Sequence, residues 1–406
     1  MQALVAVEHH YKRGPDGHIY GEGPTGYSFW STYLDTFDRV VVLARVASNS
    51  KLGLTEARAD GPNVSFMELP DYRGPWQYLH NLTPLKDQVR EAVAKSDAYI
   101  LHVPGLVGRL AWAEISRLRM RYALEVVGDP WDALGPGAWP SMFRPIFRRV
   151  GSHHLRAICK GAAAVHYVTD GALQQRYPAT KNAYTVGFSD ALMESAFAPA
   201  PVLEERHRRI DSNKPVHIGF VGSLAQLYKG PDILLNAAAL CRSRGLNFEL
   251  MLVGDGRHAS AMRDLASRLE IKSQTRFLGQ LPSGQAVRDF LDSVDVFVMP
   301  SRQEGLPRAM LEAMARGCPC IGSNVGGIPE LLPAEDLAPP NDYKALAQKI
   351  MEVAADPQRM KTMSERNLAR AKQFDPEALR EMRRAFYQYV RDHSVNKAKS
   401  GREESL

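Results

Sequence analysis

From Val216 to Gly322 the chain alternates short runs that are apolar almost throughout with stretches of helical periodicity, and this most constrains its fold. VHIGFVG (Val216–Gly222), FELMLVG (Phe248–Gly254), TRFLG (Thr275–Gly279), VDVFVMP (Val294–Pro300) and CPCIG (Cys318–Gly322) are the apolar runs. Between them Pro231 opens a helix that Gly245 closes, with Leu234, Leu235, Ala238 and Leu240 apolar. Further helices are expected from about Ala259 to Leu269, through Val287 to Leu291, and from Pro307 to Arg316. Strands without a polar face, separated by helices, predict a parallel sheet covered on both sides. The class is α/β, a doubly wound Rossmann-like domain.

The first half repeats the theme less regularly. ALVAV, DRVVVLARV, VSFMEL, AYILHV, YALEVV, AAVHYV and NAYTV are its candidate strands. Pro199–Pro215 fits neither pattern and reads as a linker. The expected organisation is therefore a first Rossmann-like domain over 1–200, a linker over 201–213 and a second domain over 214–375. A helix over 376–392, with Leu379, Met382, Phe386 and Val390 on one face, is expected to pack back on the first domain, and a flexible tail follows over 393–406. The 406 residues suit two domains of ~100–200 residues each. Two such domains face each other across a cleft at the carboxyl ends of their sheets, where open α/β sheets bind ligands.

Composition enters mainly by exclusion. No apolar run approaches the ~18–20 residues of a membrane span, and the N-terminal run, broken by Glu8, His9 and His10, is not a signal peptide. Four scattered cysteines make no disulfide framework; Cys318 and Cys320 read as buried strand thiols rather than half of a metal site, and the expected compartment is a reducing cytoplasm. Fifty-one Lys and Arg against 45 Asp and Glu give a net charge of +6, a mild excess that implies no nucleic-acid partner. The excess is concentrated in the acid-free stretch 141–161, which carries Arg144, Arg148, Arg149, Arg156 and Lys160. Met142, Phe143, Ile146, Phe147 and Val150 there are spaced for one helical face. Peripheral contact with an anionic membrane and an ordinary core helix with a basic back are both open.

Two constellations carry chemistry. In the first, Glu304 lies in a loop after a strand and Pro307 opens a helix, so the amides beside Gly305 and Leu306 form an anion-favouring pocket. Glu312 lies about 7.5 Å along that helix from Pro307, off the stripe of Leu306, Met310, Leu311 and Met314. Two carboxylates so placed can hold hydroxyls of one elongated ligand, although spacing alone favours a turn residue and a solvated helix face. In the second, Gly222 and Ser223 end a strand, and Lys229-Gly230 precede a helix. An ammonium at a helix N-terminus suits a diphosphate. Gly254-Asp255-Gly256 begins like a dinucleotide fingerprint, but no acid follows about 20 residues on to grip a ribose, so an NAD site is not supported.

Taken as a linked set, VGSL, KGPDILL, LVGDG, FLG, VDVFVMPS, EGLPRAMLEAMARG and GGIPELL resemble the retaining glycosyltransferases of family four, which have the GT-B fold. The resemblance covers most of residues 214–375 and turns the two glutamates into site residues. It implies that Glu304 binds hydroxyls of the transferred sugar and Glu312 the ribose. Gly305, Leu306 and Pro307 would meet sugar and phosphate, Lys229 would neutralise the diphosphate beside Gly222 and Ser223, and the loop at Gly279 would lie near the base. Many members have arginine where this chain has Ser223; Arg302 or a residue of the first domain is the candidate for that charge. Where the family often has a histidine beside the reacting sugar, this chain offers Asp129, equally readable as an Asx-turn before Pro130.

The implied activity is transfer of a sugar from a nucleotide-diphosphate sugar to a glycan or lipid-linked acceptor, in cell-surface polysaccharide or glycoconjugate synthesis, at the inner face of the membrane. No Asp-x-Asp clamp is present, so neither a divalent metal nor a resident cofactor is implied; the departing diphosphate would serve as base, giving retention. The alternatives are a GT-B-shaped sugar-nucleotide epimerase and a non-catalytic transferase relative acting as a binding subunit.

Overall fold

The computed structural model describes residues 1–394 apart from 23–24, 49–51, 53–55, 73, 134–143, 189–196 and 213. The expected tail thus lies outside the described residues from 395 on. The chain divides into two units: Met1–Asp129 with Val150–Phe188 and Arg380–Leu406, and Pro130–Arg149 with Ser189–Leu379. Every apolar run named above contributes a strand to one or the other.

Among the described residues the first unit holds a sheet of nine strands: β1 (Gln2–Arg13), β2 (Ile19–Glu22), β3 (Arg39–Ala47), β4 (Glu56–Arg58), β5 (Val64–Pro70), β6 (Ala98–Val103), β7 (Ala123–Val126), β8 (Ala164–Tyr167) and β9 (Tyr184–Gly187). The parallel strands run in the order β5-β3-β1-β6-β7-β8-β9. β2 pairs antiparallel with the far end of β1, and β4 with β2. This pair was not expected: short, partly solvated edge strands need no apolar run, which was the only signal available. Leu4, Ala6, Leu101 and Leu124 meet Leu85 and Val89 of the helix Leu82–Ala94 and Val107, Ala111 and Ile115 of the helix Leu106–Arg117 in one core.

From Arg380 on, the helix Pro376–His393 belongs to the first unit. Its buried face differs from the expected one. Met382 is 37% exposed, while Arg383, Phe386, Tyr387 and Val390 are buried. Tyr387 stacks on Tyr33 with ring centroids 4.4 Å apart and donates to Glu125 Oε1 at 2.9 Å. Polar partners inside the unit turned the helix away from a purely apolar stripe.

The second unit has β10 (Val216–Val221), β11 (Phe248–Val253), β12 (Thr275–Gly279), β13 (Val296–Met299), β14 (Cys320–Ser323) and β15 (Leu337–Ala338), all parallel, in the order β12-β11-β10-β13-β14-β15. The order reverses between β10 and β13, the switch point at which such sheets bind ligands. The segment read as a linker is instead a helix, Ala200–Ile210. It hid because its buried member is a cation. Arg206, with no exposed surface, donates to the carbonyls of Leu291, Val294 and Arg316, at or just past the ends of the helices Gln285–Asp292 and Arg308–Ala315. All four cysteines are free and buried, and burial pushes the Cys318 and Cys320 thiols up. No helix among the described residues is long and apolar enough to cross a membrane.

Candidate active site

Residues after β10 and β13 meet at the switch point. The loop leaving β10 is tied down by Gly222 N–H donating to the Val253 carbonyl and Leu224 N–H donating to the Asp255 carbonyl, each at 2.9 Å. It ends in a turn of 3₁₀ helix, Leu227–Lys229, and Gly230 begins the helix Pro231–Ser243 with φ +72°. A Cβ on Gly230 would sit 2.1 Å from the Pro300 carbonyl oxygen, so the two loops touch backbone to backbone.

That contact brings Lys229 to Glu304. Lys229 Nζ donates to both carboxylate oxygens of Glu304, at 2.7 and 2.9 Å, and Ser301 Oγ donates to Oε1 at 2.7 Å. The side chains are only 14% and 6% exposed. An ammonium suited to a diphosphate and a carboxylate suited to hydroxyls thus stand together at one sheet edge, drawn from positions far apart in the chain.

Arg302, the candidate for the charge missing at Ser223, is bound within its own unit. Its guanidinium forms a two-pronged pair with Asp232 at 2.7 and 2.9 Å, its Nε donates to Asn341 Oδ1 at 2.7 Å, and its N–H donates to the Tyr228 carbonyl at 2.6 Å. Asp232 in the first turn of its helix captures it, and Arg302 braces the Lys229 turn. Ser223 itself is exposed, its Oγ accepting from Ala225 N–H at 3.2 Å.

Pro307 caps the helix Arg308–Ala315, whose first amides lack partners within the helix, and Gly305 and Leu306 lead into it. The carbonyl of Gly305 accepts from Gly327 N–H at 2.7 Å. Glu312 accepts from Arg308 Nε at 2.7 Å, one turn away, and remains 25% exposed. Gly279 ends β12, its carbonyl accepting from Gly254 N–H at 2.7 Å. Asp129 belongs to the first unit, after β7, buried and bound to Arg176 and the Tyr177 hydroxyl. Among the described residues no group of three or more His, Cys, Asp or Glu could hold a metal ion.

Sequence reading missed Ser301, Asp232, the bracing part of Arg302, and the seat formed by Gly326 and Gly327. The spacing of Ser301 three residues before Glu304 was the one available clue. Gly326 has φ +54°, and a Cβ there would lie 2.0 Å from the Glu304 carbonyl oxygen. Gly326→Ala should therefore lower Tm by ~2–8 °C, from about 1–2 kcal/mol of left-handed strain. It should also weaken nucleotide binding by displacing Glu304. Gly245→Ala, with φ +90° but nothing within 4 Å, should show the strain alone in differential scanning calorimetry and leave nucleotide affinity unchanged in titration calorimetry.

The chain is similar to known proteins. Residues 215–356 match the family Glycosyl transferases group 1. The protein CapJ of Staphylococcus aureus is 26% identical over 326 residues, 80% of this chain and 79% of that one. WcaL of Escherichia coli, a putative colanic acid biosynthesis glycosyltransferase, is 33% identical over 145 residues, 34% of this chain and about a third (35%) of its own length. Among solved structures, sucrose-phosphate synthase of Thermosynechococcus elongatus superposes with TM-score 0.67 at 18% identity over 97% of this chain and 99% of that one. HepE of Anabaena, solved in complex with UDP and glucose, has TM-score 0.63 at 16% identity over 94% and 97%. These likenesses identify the fold as GT-B. Residues 215–356, the domain that carries the Lys229–Glu304 pair, are thus similar to the group 1 glycosyltransferases.

Proposed function

We propose that the chain is a retaining glycosyltransferase moving a sugar from a nucleotide-diphosphate sugar to a glycan or lipid-linked acceptor in polysaccharide or glycoconjugate synthesis, without a divalent metal. The observation that carries this reading is the direct contact of Lys229 with Glu304 at the switch point of the second sheet. Lys229 and the helix amides following Pro307 face the departing diphosphate, a preorganised electrostatic contribution that is usually the largest in such reactions. Glu304 accepts hydrogen bonds from the transferred sugar and Glu312 from the ribose. The leaving diphosphate takes the acceptor's proton, which gives retention. Asp129 acts as a positioning residue, holding Arg176 and Tyr177. The name of WcaL supports a role in polysaccharide synthesis, and the UDP bound to HepE puts UDP-sugars first among donors to test.

A thermal-shift panel of UDP-, GDP-, TDP- and CMP-sugars tests the donor. One of them should raise Tm, and its turnover with acceptor should survive excess EDTA. Loss of turnover in EDTA with recovery in Mg²⁺ or Mn²⁺ would refute the metal-free mechanism. An epimeric product from UDP-N-acetylglucosamine without acceptor would replace transfer by epimerisation.

The acceptor is presented, in this reading, at an anionic membrane surface. The helix Arg144–Gly161 is two-part: Leu155, Ile158 and Cys159 are buried, while Ile146, Phe147 and Val150 are 58%, 45% and 56% exposed. Arg148 stacks over Trp131 at 4.1 Å, adding a partly exposed indole. Met142 and Phe143 lie outside the described residues. Cations near anionic lipid contribute about 1 kcal/mol each. Co-sedimentation with anionic vesicles should fade as salt rises and on changing Arg144, Arg148 and Arg149 to Ser; equal binding to neutral vesicles would rule the contact out.

A further inference from the structure

Three cations that follow β10 and β13 are each held by a carboxylate of the same unit: Lys229 by Glu304, Arg302 by Asp232 and Arg308 by Glu312. A diphosphate must therefore open one of these pairs before it gains a full positive charge. The pairs differ in how readily they open. Arg302 is gripped by both Asp232 oxygens and by Asn341 Oδ1, which fixes its planar fork. Arg308 and Glu312 lie one turn apart on a partly exposed helix face, where water screens both charges. Lys229 and Glu304 are largely buried and attract each other strongly. Yet the ammonium is a point charge on a flexible stem, able to turn to another acceptor.

What happens to Glu304 then depends on the ligand. Among the described residues its donors are Lys229 Nζ, at 2.7 and 2.9 Å, and Ser301 Oγ, at 2.7 Å. Ser301 is fully buried and neutral, so it cannot replace the charge of the ammonium. When Lys229 turns to a diphosphate, the carboxylate stays buried beside new negative charge with that single hydroxyl as donor. A buried charge stripped of its partner is strongly unfavourable. Hydroxyls of a sugar carried on the same diphosphate relieve it, by donating to Glu304 in place of the ammonium. Once the sugar has left, the terminal phosphate is a monoester whose second pKa is about 6, and it gains charge near neutral pH. Glu304 then faces more negative charge with fewer donors.

We infer that Glu304 discriminates the intact nucleotide sugar from the nucleoside diphosphate left after transfer, by competing with the bound diphosphate for Lys229. The inference rests on the transferase reading and adds product release to the work of the pair. Its signature is a change of opposite sign in two affinities. A lost contact or a loosened fold weakens both.

Calorimetric titration of the full chain with UDP, GDP and TDP, each beside its glucose conjugate, tests it at about pH 7.5, where the terminal phosphate is ionised. Glu304→Gln keeps the shape and removes the charge. For the base that binds, the nucleoside diphosphate should bind this variant about tenfold more tightly and the glucose conjugate about tenfold more weakly. Ser301→Ala should act the other way on the nucleoside diphosphate, weakening it about two- to tenfold, because the carboxylate is left with Lys229 alone and holds it harder. Gly326→Ala moves the loop backbone and its amides together, so it does not stand in for Glu304→Gln. A nucleoside diphosphate that binds Glu304→Gln no more tightly than the natural chain would overturn the discrimination and leave the donor site standing. Should Glu304→Gln not fold, Ser301→Ala decides, and an unchanged or raised affinity there overturns it equally. Failure of all six nucleotides to bind the natural chain would overturn the donor reading and the discrimination with it.

Discussion

Lys229→Met is expected to lower turnover by about 10²–10³-fold with the fold intact, as when one preorganised charge-stabilising donor is removed. Donor affinity should also weaken at least about tenfold, by ~1.5–3 kcal/mol for a charge-assisted contact. The ion pair sharpens the expectation. In the free protein Lys229 is neutralised by Glu304, and both are largely buried. Removing either leaves its partner uncompensated, so single substitutions should cost more than the lost ligand contact. The double variant Lys229→Met with Glu304→Gln should therefore be less impaired in stability than the sum of the singles, by ~0.5–3 kcal/mol of coupling. Steady-state kinetics and calorimetry on the four proteins measure both quantities. Unchanged donor affinity in both singles would remove Lys229 and Glu304 from the site.

Glu125→Ala should be the most damaging change to stability in the first unit. The Glu125 carboxylate is 3% exposed, and it meets His102 Nε2 at 2.5 Å, the Tyr387 hydroxyl at 2.9 Å and the Tyr33 hydroxyl at 3.2 Å. Breaking a buried pair of this kind costs about 3–5 kcal/mol, because the histidine and two phenols lose a common acceptor. At ~2–4 °C per kcal/mol for units of this size, Tm should fall by roughly 6–20 °C. Burial by itself raises this carboxyl's pKa; the charge of His102 and its hydrogen bond outweigh that and hold it below the ordinary 4.5. A carboxyl with a depressed folded pKa contributes stability that is complete above the ordinary value and lost as pH falls below it. Thermal scans should therefore show stability declining below about pH 4.5, and Glu125→Gln, which keeps the shape without the charge, should be less stable at pH 7 and show a shallower decline. A Glu125→Gln decline as steep as that of the natural chain would refute the assignment of this acid sensitivity.

Much of the fold was legible because burial on both faces writes itself into the chain. A strand such as Val216–Val221 or Ala98–Val103 has no polar face to present to water, and the helices between such strands repeat their apolar positions every three to four residues. What escaped detection lacked that imprint. β2 and β4 lie at an edge and are partly solvated; the helix Ala200–Ile210 buries an arginine rather than a leucine; the last helix turns Arg383 and Tyr387 inward in place of Met382.

The site divides in the same way. Its residue types and order, Lys-Gly before one helix and Glu-Gly-Leu-Pro before another, stand in the sequence, and through the family resemblance they nominate Lys229, Glu304 and Glu312. That Lys229 grips Glu304, that Asp232 pairs with Arg302, and that Gly326 seats the Glu304 loop were decided only by the tertiary structure. Local sequence determines which faces must be buried, since apolar area and backbone propensity act within a few residues. The choice among many possible partners for a charge depends on which loops the sheet order brings within about 3 Å of one another, and no local pattern encodes that distance.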